Sequence, residues 1–102
     1  MTNICAKKIR LDGYVRLRDV KGDPYMFFNL KTSELVVIPA HERSLEKRII
    51  RLVAKKIKNG STLEELMDMI SQKFSLSRDD TEEGLAELIR KLYEAGMLRT
   101  ED

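Results

Sequence analysis

The residues best suited to nucleophilic catalysis occur once each in this sequence. The single histidine, His41, and the single cysteine, Cys5, stand 36 positions apart. A Cys–His pair would supply a nucleophile and its base, and it is the one arrangement of this kind that the composition allows. No other residue supports the pairing, so we interpret His41 as a surface or capping residue and predict no catalytic residue.

Ligands for metal ions and phosphate groups are also missing. A metal site of this kind needs several His or Cys side chains at suitable spacing, and one histidine with one cysteine does not supply them. The five glycines are scattered over turns and helix ends, so the sequence contains no glycine-rich phosphate loop. We therefore predict no metal, no cofactor and no enzymatic activity.

Acidic side chains crowd the predicted first turn of the third helix. They are Asp79, Asp80, Glu82 and Glu83, and they suit the positive end of the helix dipole. A helix-turn-helix protein inserts the N-terminal part of its second helix into the DNA major groove, where carboxylates would repel the phosphates. Binding of nucleic acid is therefore not expected at this helix.

A basic stretch lies earlier in the chain. Residues 43–58 hold seven Lys and Arg side chains against the single acid Glu46. A basic amphipathic helix binds nucleic acid, an anionic membrane or an acidic protein surface; alternatively, it is a solvated face beside the acidic second half of the chain. The candidate partner-docking residues on it are Lys47, Arg51, Lys55 and Lys58.

The length of 102 residues, with 42% hydrophobic and 35% charged side chains, fits one soluble domain. No apolar run approaches the roughly 18 residues that span a bilayer, and no apolar stretch follows the basic N-terminus as it does in a secretory signal. A lone cysteine suits a reducing cytoplasm. We therefore expect a cytoplasmic protein without a membrane partner.

The front of the chain shows the patterns of β-structure. Strands are predicted at residues 14–18, 25–28 and 35–38, with turns between them at 21–24 and 29–33, which together make an antiparallel meander. Basic residues on the first strand discourage unwanted pairing at that edge. The third strand carries no charge, so its edge either accepts a visiting strand or is covered by residues 4–11.

The rest of the chain shows helical periodicity. Ser44, Thr62 and Ser77 are predicted to cap three helices at their N-termini, and Gly60 and Gly96 are predicted to end the first and the third. The expected fold class is therefore α+β and winged helix-turn-helix-like, with a three-stranded antiparallel sheet followed by three helices.

In the order and spacing of its sequence motifs, the chain over residues 13–99 resembles the PqqD-like family. Members of this family are the recognition domains of ribosomally made, modified peptides. The best-matching stretch is GSTLEELMDMISQKFSLSRDDTEEGLAELIRKLYEAGML at residues 60–98, and YVRLRD and SELVVI match near the front. The resemblance implies a peptide-recognition domain at 13–99, preceded by a segment at 1–12 that is flexible or an extra strand.

The resemblance also implies a function and a site. Members of the family bind the leader of a precursor peptide as an added antiparallel strand, in a groove beside the last helix, and pass it to a modifying enzyme of the radical S-adenosylmethionine type. The implied pairing strand is Leu35, Val36, Val37 and Ile38. The implied groove wall, with Arg90 facing an acidic leader side chain, is Ala86, Ile89, Arg90 and Tyr93. Core packing is the alternative for Ile89 and Tyr93.

One departure from the family pattern concerns the connection after the third strand. Residues 38–42, IPAHE, replace the usual Leu-Asn motif, and a longer basic helix follows. This leaves the product of the pathway open and suggests the basic helix as the docking face for the enzyme. The alternative functions are a winged-helix DNA-binding regulator that uses the basic first helix, and a protein–protein adaptor.

Overall fold

The computed structural model describes residues 7–19, 25–39 and 44–101; Cys5, the turn predicted at 21–24 and His41 lie outside this range. The elements in chain order are β1 Lys8–Leu11, β2 Val15–Asp19, β3 Tyr25–Asn29, β4 Leu35–Ile38, α1 Leu45–Asn59, β5 Ser61–Thr62, α2 Leu63–Phe74, α3 Arg78–Glu94 and β6 Leu98–Glu101. Three helices with antiparallel sheets confirm the α+β class.

The strands form two sheets, where the sequence predicted one. Strands β2, β3 and β4 make the predicted meander, and a second sheet has the order β5-β1-β6. Its central strand β1 alternates exposed and buried residues, and β6 pairs with it over four residues, from Lys8 opposite Glu101 to Leu11 opposite Leu98. The predicted arrangement of one sheet followed by three helices therefore needs correction. Along the chain, β5 lies between α1 and α2 and β6 follows α3, and both strands belong to the second sheet.

All three predicted N-caps are confirmed. The side chain of Ser44 accepts a hydrogen bond from the Lys47 N–H, and those of Thr62 and Ser77 accept from the N–H groups three residues further on. Each bond satisfies a donor that the first turn of a helix leaves without an intrahelical partner. The helices therefore begin within a residue of where the capping pattern placed them.

The core lies between the sheets and the helices. Its largest fully buried apolar side chains are Phe27, Ile9, Ile57, Leu66, Ile70, Leu92 and Met97. The buried face of α1 consists of Ile50, Val53, Ala54 and Ile57, together with Lys47. None of the helices in the described part of the chain is long and apolar enough to cross a membrane.

Asn29 fixes the hairpin that leads into β4. Its side-chain oxygen accepts hydrogen bonds from the N–H groups of Lys31 and Thr32, an Asx turn. Its side-chain amide donates to the Gly96 carbonyl at 3.0 Å. Ser33 adopts φ 65°, in the left-handed region, at the last position of the four-residue loop between Asn29 and Glu34. The same buried side chain therefore shapes the hairpin and ties it to the end of α3.

Candidate functional site

The outer edge of β4 is open among the residues that the structure describes. Strand β4 pairs with β3 on one side. The N-terminal strand that was considered as a cover, β1, pairs instead with β5 and β6; residues 4–6 lie outside the described ranges. The main-chain groups on this side of β4 are therefore available to another strand.

Alternate residues of β4 present those main-chain groups. The Asn29 N–H donates to the Glu34 carbonyl at 2.9 Å, just before β4 begins. Hydrogen-bonded and non-bonded pairs alternate along antiparallel strands, so the second and fourth residues of β4 bond to β3. The first and third, Leu35 and Val37, direct their N–H and C=O groups outward. Their side chains are 53% and 45% exposed.

An apolar groove begins where β4 ends. A cavity of about 350 Å³ lies between the end of β4, the start of α1 and one face of α3. The apolar residues that line it are Ile38, Pro39, Ile49, Ile50, Ile70, Leu76, Leu85 and Leu88. Because Ile38 belongs both to the open strand and to the groove, the two features form one continuous surface, which we call the β4 groove.

Gly84 lies in the wall that α3 contributes to the β4 groove. A glycine inside a helix lowers stability relative to alanine by roughly 0.5–1 kcal/mol. Packing within the protein does not require it, because a Cβ at this position would meet no atom within 4 Å. The missing side chain leaves room in the groove, where another main chain can approach the helix closely.

The rim of the β4 groove is predominantly acidic. Glu46, Asp80 and Glu87 line it, against the single base Lys91. Within the described ranges, the ion pairs of the protein involve none of these four side chains. The groove therefore has an apolar floor and an excess of unpaired negative charge around it.

The residues predicted for the groove wall lie on other faces of α3. Ala86 and Arg90 are exposed outside the groove, and Arg90 pairs with Glu94 at 3.3 Å. Tyr93 is 46% exposed and does not line the groove either. Ile89 is 5% exposed and belongs to the core, which is the alternative considered for it. The spacing i, i+4, i+7 identified a shared face but not the face that turns toward β4.

Two of the predicted docking residues form ion pairs within the protein. Lys47 is fully buried and its ammonium lies 3.1 Å from the Asp19 carboxylate. Arg51 contacts the same carboxylate through two nitrogens, with Nη2 at 3.2 Å from Oδ1. The hydrogen bond from Arg51, helped by Lys47, lowers the pKa of Asp19 although burial acts in the opposite direction. Lys47 therefore joins α1 to β2 and is corrected from a docking residue to a structural one.

The other two predicted docking residues are exposed. Lys55 lies on the solvent side of α1. Lys58 borders a second, more polar cavity of about 700 Å³ that lies next to β1, β2 and β6. Arg10, Arg16 and Arg99 line the same cavity. A basic surface thus exists at this end of α1, but it consists of different residues from those predicted.

Sequence reasoning missed the features that distinguish the groove. Gly84 looked like one more scattered glycine, and Glu87 like one more solvated acid. It also missed the apolar outer face of the meander, where Phe28 opposes Leu35 and both are exposed. The strict alternation of β3, in which Phe28 falls on the face opposite to the buried Phe27, is the signal that indicates this face.

No group of three or more His, Cys, Asp or Glu side chains among the described residues could hold a metal ion. No protein-family model matches this chain, and no curated protein or solved structure shows significant similarity to it.

Proposed function

We propose that this protein is a non-catalytic, PqqD-like recognition domain that binds the leader of a ribosomally made precursor peptide. It presents that peptide to a separate modifying enzyme in the cytoplasm, of the radical S-adenosylmethionine type. One observation carries the proposal: the unpaired edge of β4 runs into an apolar groove walled by α3, and Ile38 belongs to both.

Binding proceeds by addition of a strand. A visiting extended segment exchanges hydrogen bonds with the outward main-chain groups of Leu35 and Val37, and its alternate side chains point toward the groove. Val36 and Ile38 are half-buried on that inner face. Holding the leader in this way raises the effective concentration of the rest of the peptide at an enzyme bound to the same carrier.

The winged helix-turn-helix relationship is part of the same proposal. Helices α2 and α3 follow each other through a three-residue link at 75–77, and Arg78 holds them together by contacting Glu64 at 2.5 Å and Asp68 at 2.7 Å. The meander β2–β3–β4 corresponds to the wing. The enzyme docks on the exposed basic surface around Lys55 and Lys58.

The alternative, a DNA-binding regulator that uses the basic first helix, has less support. Its binding would depend on Lys and Arg side chains that neutralise phosphates. Lys47 and Arg51 are instead paired with Asp19 inside the domain, and the first turn of α3 carries Asp79 and Asp80. The helix expected in the major groove thus presents negative charge.

A proline at Val37 tests strand addition. A randomised library of twelve-residue peptides is selected on the immobilised protein, and enriched peptides are synthesised and titrated. The Val37→Pro variant should bind them at least about tenfold more weakly, because proline removes an outward N–H. The bonds between β3 and β4 are kept, since Val37 does not donate to β3, and proline is tolerated on an edge strand.

The matched control is Val37→Thr, which keeps the N–H and the β-branched side chain. It should bind the same peptides within about twofold of the wild type, since the hydrogen bonds come from the main chain. Isotope-shift mapping of a bound peptide should show the largest changes at 35–38 and along the groove face of α3. Unchanged affinity in Val37→Pro, or shifts confined to other regions, would refute strand addition here.

A further inference from the structure

We propose that the segment bound in the β4 groove is basic: an aliphatic side chain enters the groove and Lys or Arg residues flank it. This inference rests on the proposed function and names the chemistry of its ligand. It comes from the charges around the groove and from the space inside it, both of which belong to the protein's own side chains.

The negative charge of the rim favours a positively charged ligand. Three carboxylates, Glu46, Asp80 and Glu87, surround the groove against Lys91 alone. A segment that carries Lys or Arg meets complementary charge there, whereas an acidic segment meets like charge as its own carboxylates lose water. Arg90, predicted to pair with an acidic leader residue, already contacts Glu94 and lies outside the groove.

Helix capping accounts for part of this acidity but not for all of it. Glu46 and Asp80 stand in the first turns of α1 and α3, where the helix dipole favours a negative charge. Glu87 lies in the middle of α3, more than two turns from its start, where the dipole effect has faded. Its exposed side chain makes none of the ion pairs or hydrogen bonds found among the described residues, so its carboxylate is available to a partner outside the protein.

The apolar floor of the groove determines which kind of ligand side chain binds in it. Ile49, Ile50 and Leu88 line it together with Gly84, and the volume of about 350 Å³ is that of a small ligand pocket. Residues of a visiting strand that lie opposite Val36 and Ile38 place their side chains on this inner face. One aliphatic side chain at such a position enters the groove, and its neighbours on the same face reach the acidic rim.

A second copy of this chain fits the site less well. It would offer its own β4, whose four residues carry no charge, and so would leave the carboxylates of the rim without a counter-charge. A basic segment of another polypeptide satisfies the strand edge, the apolar floor and the rim at the same time.

The test compares peptide selection on three forms of the full chain. The wild type, Glu87→Lys and Glu82→Lys are each immobilised and offered the same randomised twelve-residue library. Glu82 is exposed on the side of α3 away from the groove, so Glu82→Lys changes the net charge as Glu87→Lys does and leaves the rim unaltered. One peptide enriched on the wild type is then synthesised and titrated against all three at low and high salt.

On the wild type and on Glu82→Lys we expect enriched peptides with an aliphatic residue flanked by Lys or Arg. On Glu87→Lys this preference should weaken, and the titrated peptide should bind about five- to thirtyfold more weakly at low salt. High salt should reduce the difference, because screening weakens exposed charges. Glu82→Lys should bind within about twofold of the wild type.

Three results would overturn the inference. Enriched peptides that map to β4 but carry no excess of Lys and Arg would refute it and leave strand addition standing. Equal losses in Glu82→Lys and Glu87→Lys would show that net charge, not the rim, sets the preference. A dimer whose interface maps to β4 would make a second copy the occupant, and no enrichment at all would refute the proposed function together with this inference.

Discussion

Replacing Gly84 with leucine should stabilise the protein and destroy peptide binding. Leucine is the better helix former by roughly 0.5–1 kcal/mol, and a Cβ at Gly84 meets no atom within 4 Å. The side chain would occupy the β4 groove, so the affinity for peptides selected on the wild type should fall at least about tenfold. Thermal unfolding and titration of one peptide measure the two effects, which we expect to have opposite signs.

The opposite signs make this substitution informative. Most substitutions destabilise a protein, and a loss of binding that accompanies a loss of stability has an ambiguous cause. Ala86→Leu is the matched control, because Ala86 is an exposed residue of the same helix outside the groove. It should leave the affinity within about twofold and the stability within about 0.5 kcal/mol. Wild-type affinity in Gly84→Leu would show that the peptide does not use this wall.

Replacing Asp19 with asparagine should lower the free energy of unfolding by about 2–3 kcal/mol. The carboxylate lies between the ammonium of Lys47, which is fully buried, and the guanidinium of Arg51. Removing one charge from a buried pair costs about 3–5 kcal/mol, and we expect less here because Asp19 retains contact with water. Chemical denaturation at pH 7 measures the loss.

The matched control is Glu94→Gln at the exposed pair with Arg90, where both side chains are more than half exposed. Its effect should stay within about 0.5 kcal/mol. Adding Lys47→Met to Asp19→Asn should recover part of the loss, because an apolar side chain does not need the buried counter-charge. A double variant no more stable than Asp19→Asn would show that the ammonium and the carboxylate are not coupled.

The pH dependence of stability provides an independent check on Asp19. Its hydrogen bond from Arg51 holds its pKa below the ordinary value of 3.8. The stability that this interaction contributes is fully present at pH values above the pKa of Asp19 in the unfolded chain. It is lost as the pH falls through the lower pKa of Asp19 in the folded protein. The difference in unfolding free energy between the wild type and Asp19→Asn should therefore be constant from pH 5 to 7 and shrink below about pH 4.

Local patterns predicted the elements of the fold well. Capping side chains act over three residues, so Ser44, Thr62 and Ser77 marked the helix starts without any tertiary information. The meander followed from alternation and turns. The second sheet was not foreseen as a sheet, because β1 and β6 are short, charged and far apart in sequence, and only the completed fold brings them together.

The candidate site was predictable in part, for the same reason. The uncharged composition of β4 indicated a strand able to pair, and this is a local property. Which face of α3 turns toward β4 depends on how the helix packs, and a rotation of about 100° per residue separates Gly84 from its neighbours on the helix. Lys47 shows the same limit: its burial depends on Asp19, which is 28 positions away in sequence.

The pairing of β1 with β6 has a consequence for how the protein folds. It joins two strands that are far apart in sequence, from Lys8 opposite Glu101 to Leu11 opposite Leu98, so this sheet closes only after β6 has left the ribosome. The hairpins around β3 are local and form first, because short loops close at the lowest entropic cost. During synthesis the open edge of β4 is therefore present before α3 has formed the wall of the groove beside it, and nascent chains are at risk of pairing with one another. Pulse-labelled hydrogen exchange should show the amides of β1 and β6 gaining protection last.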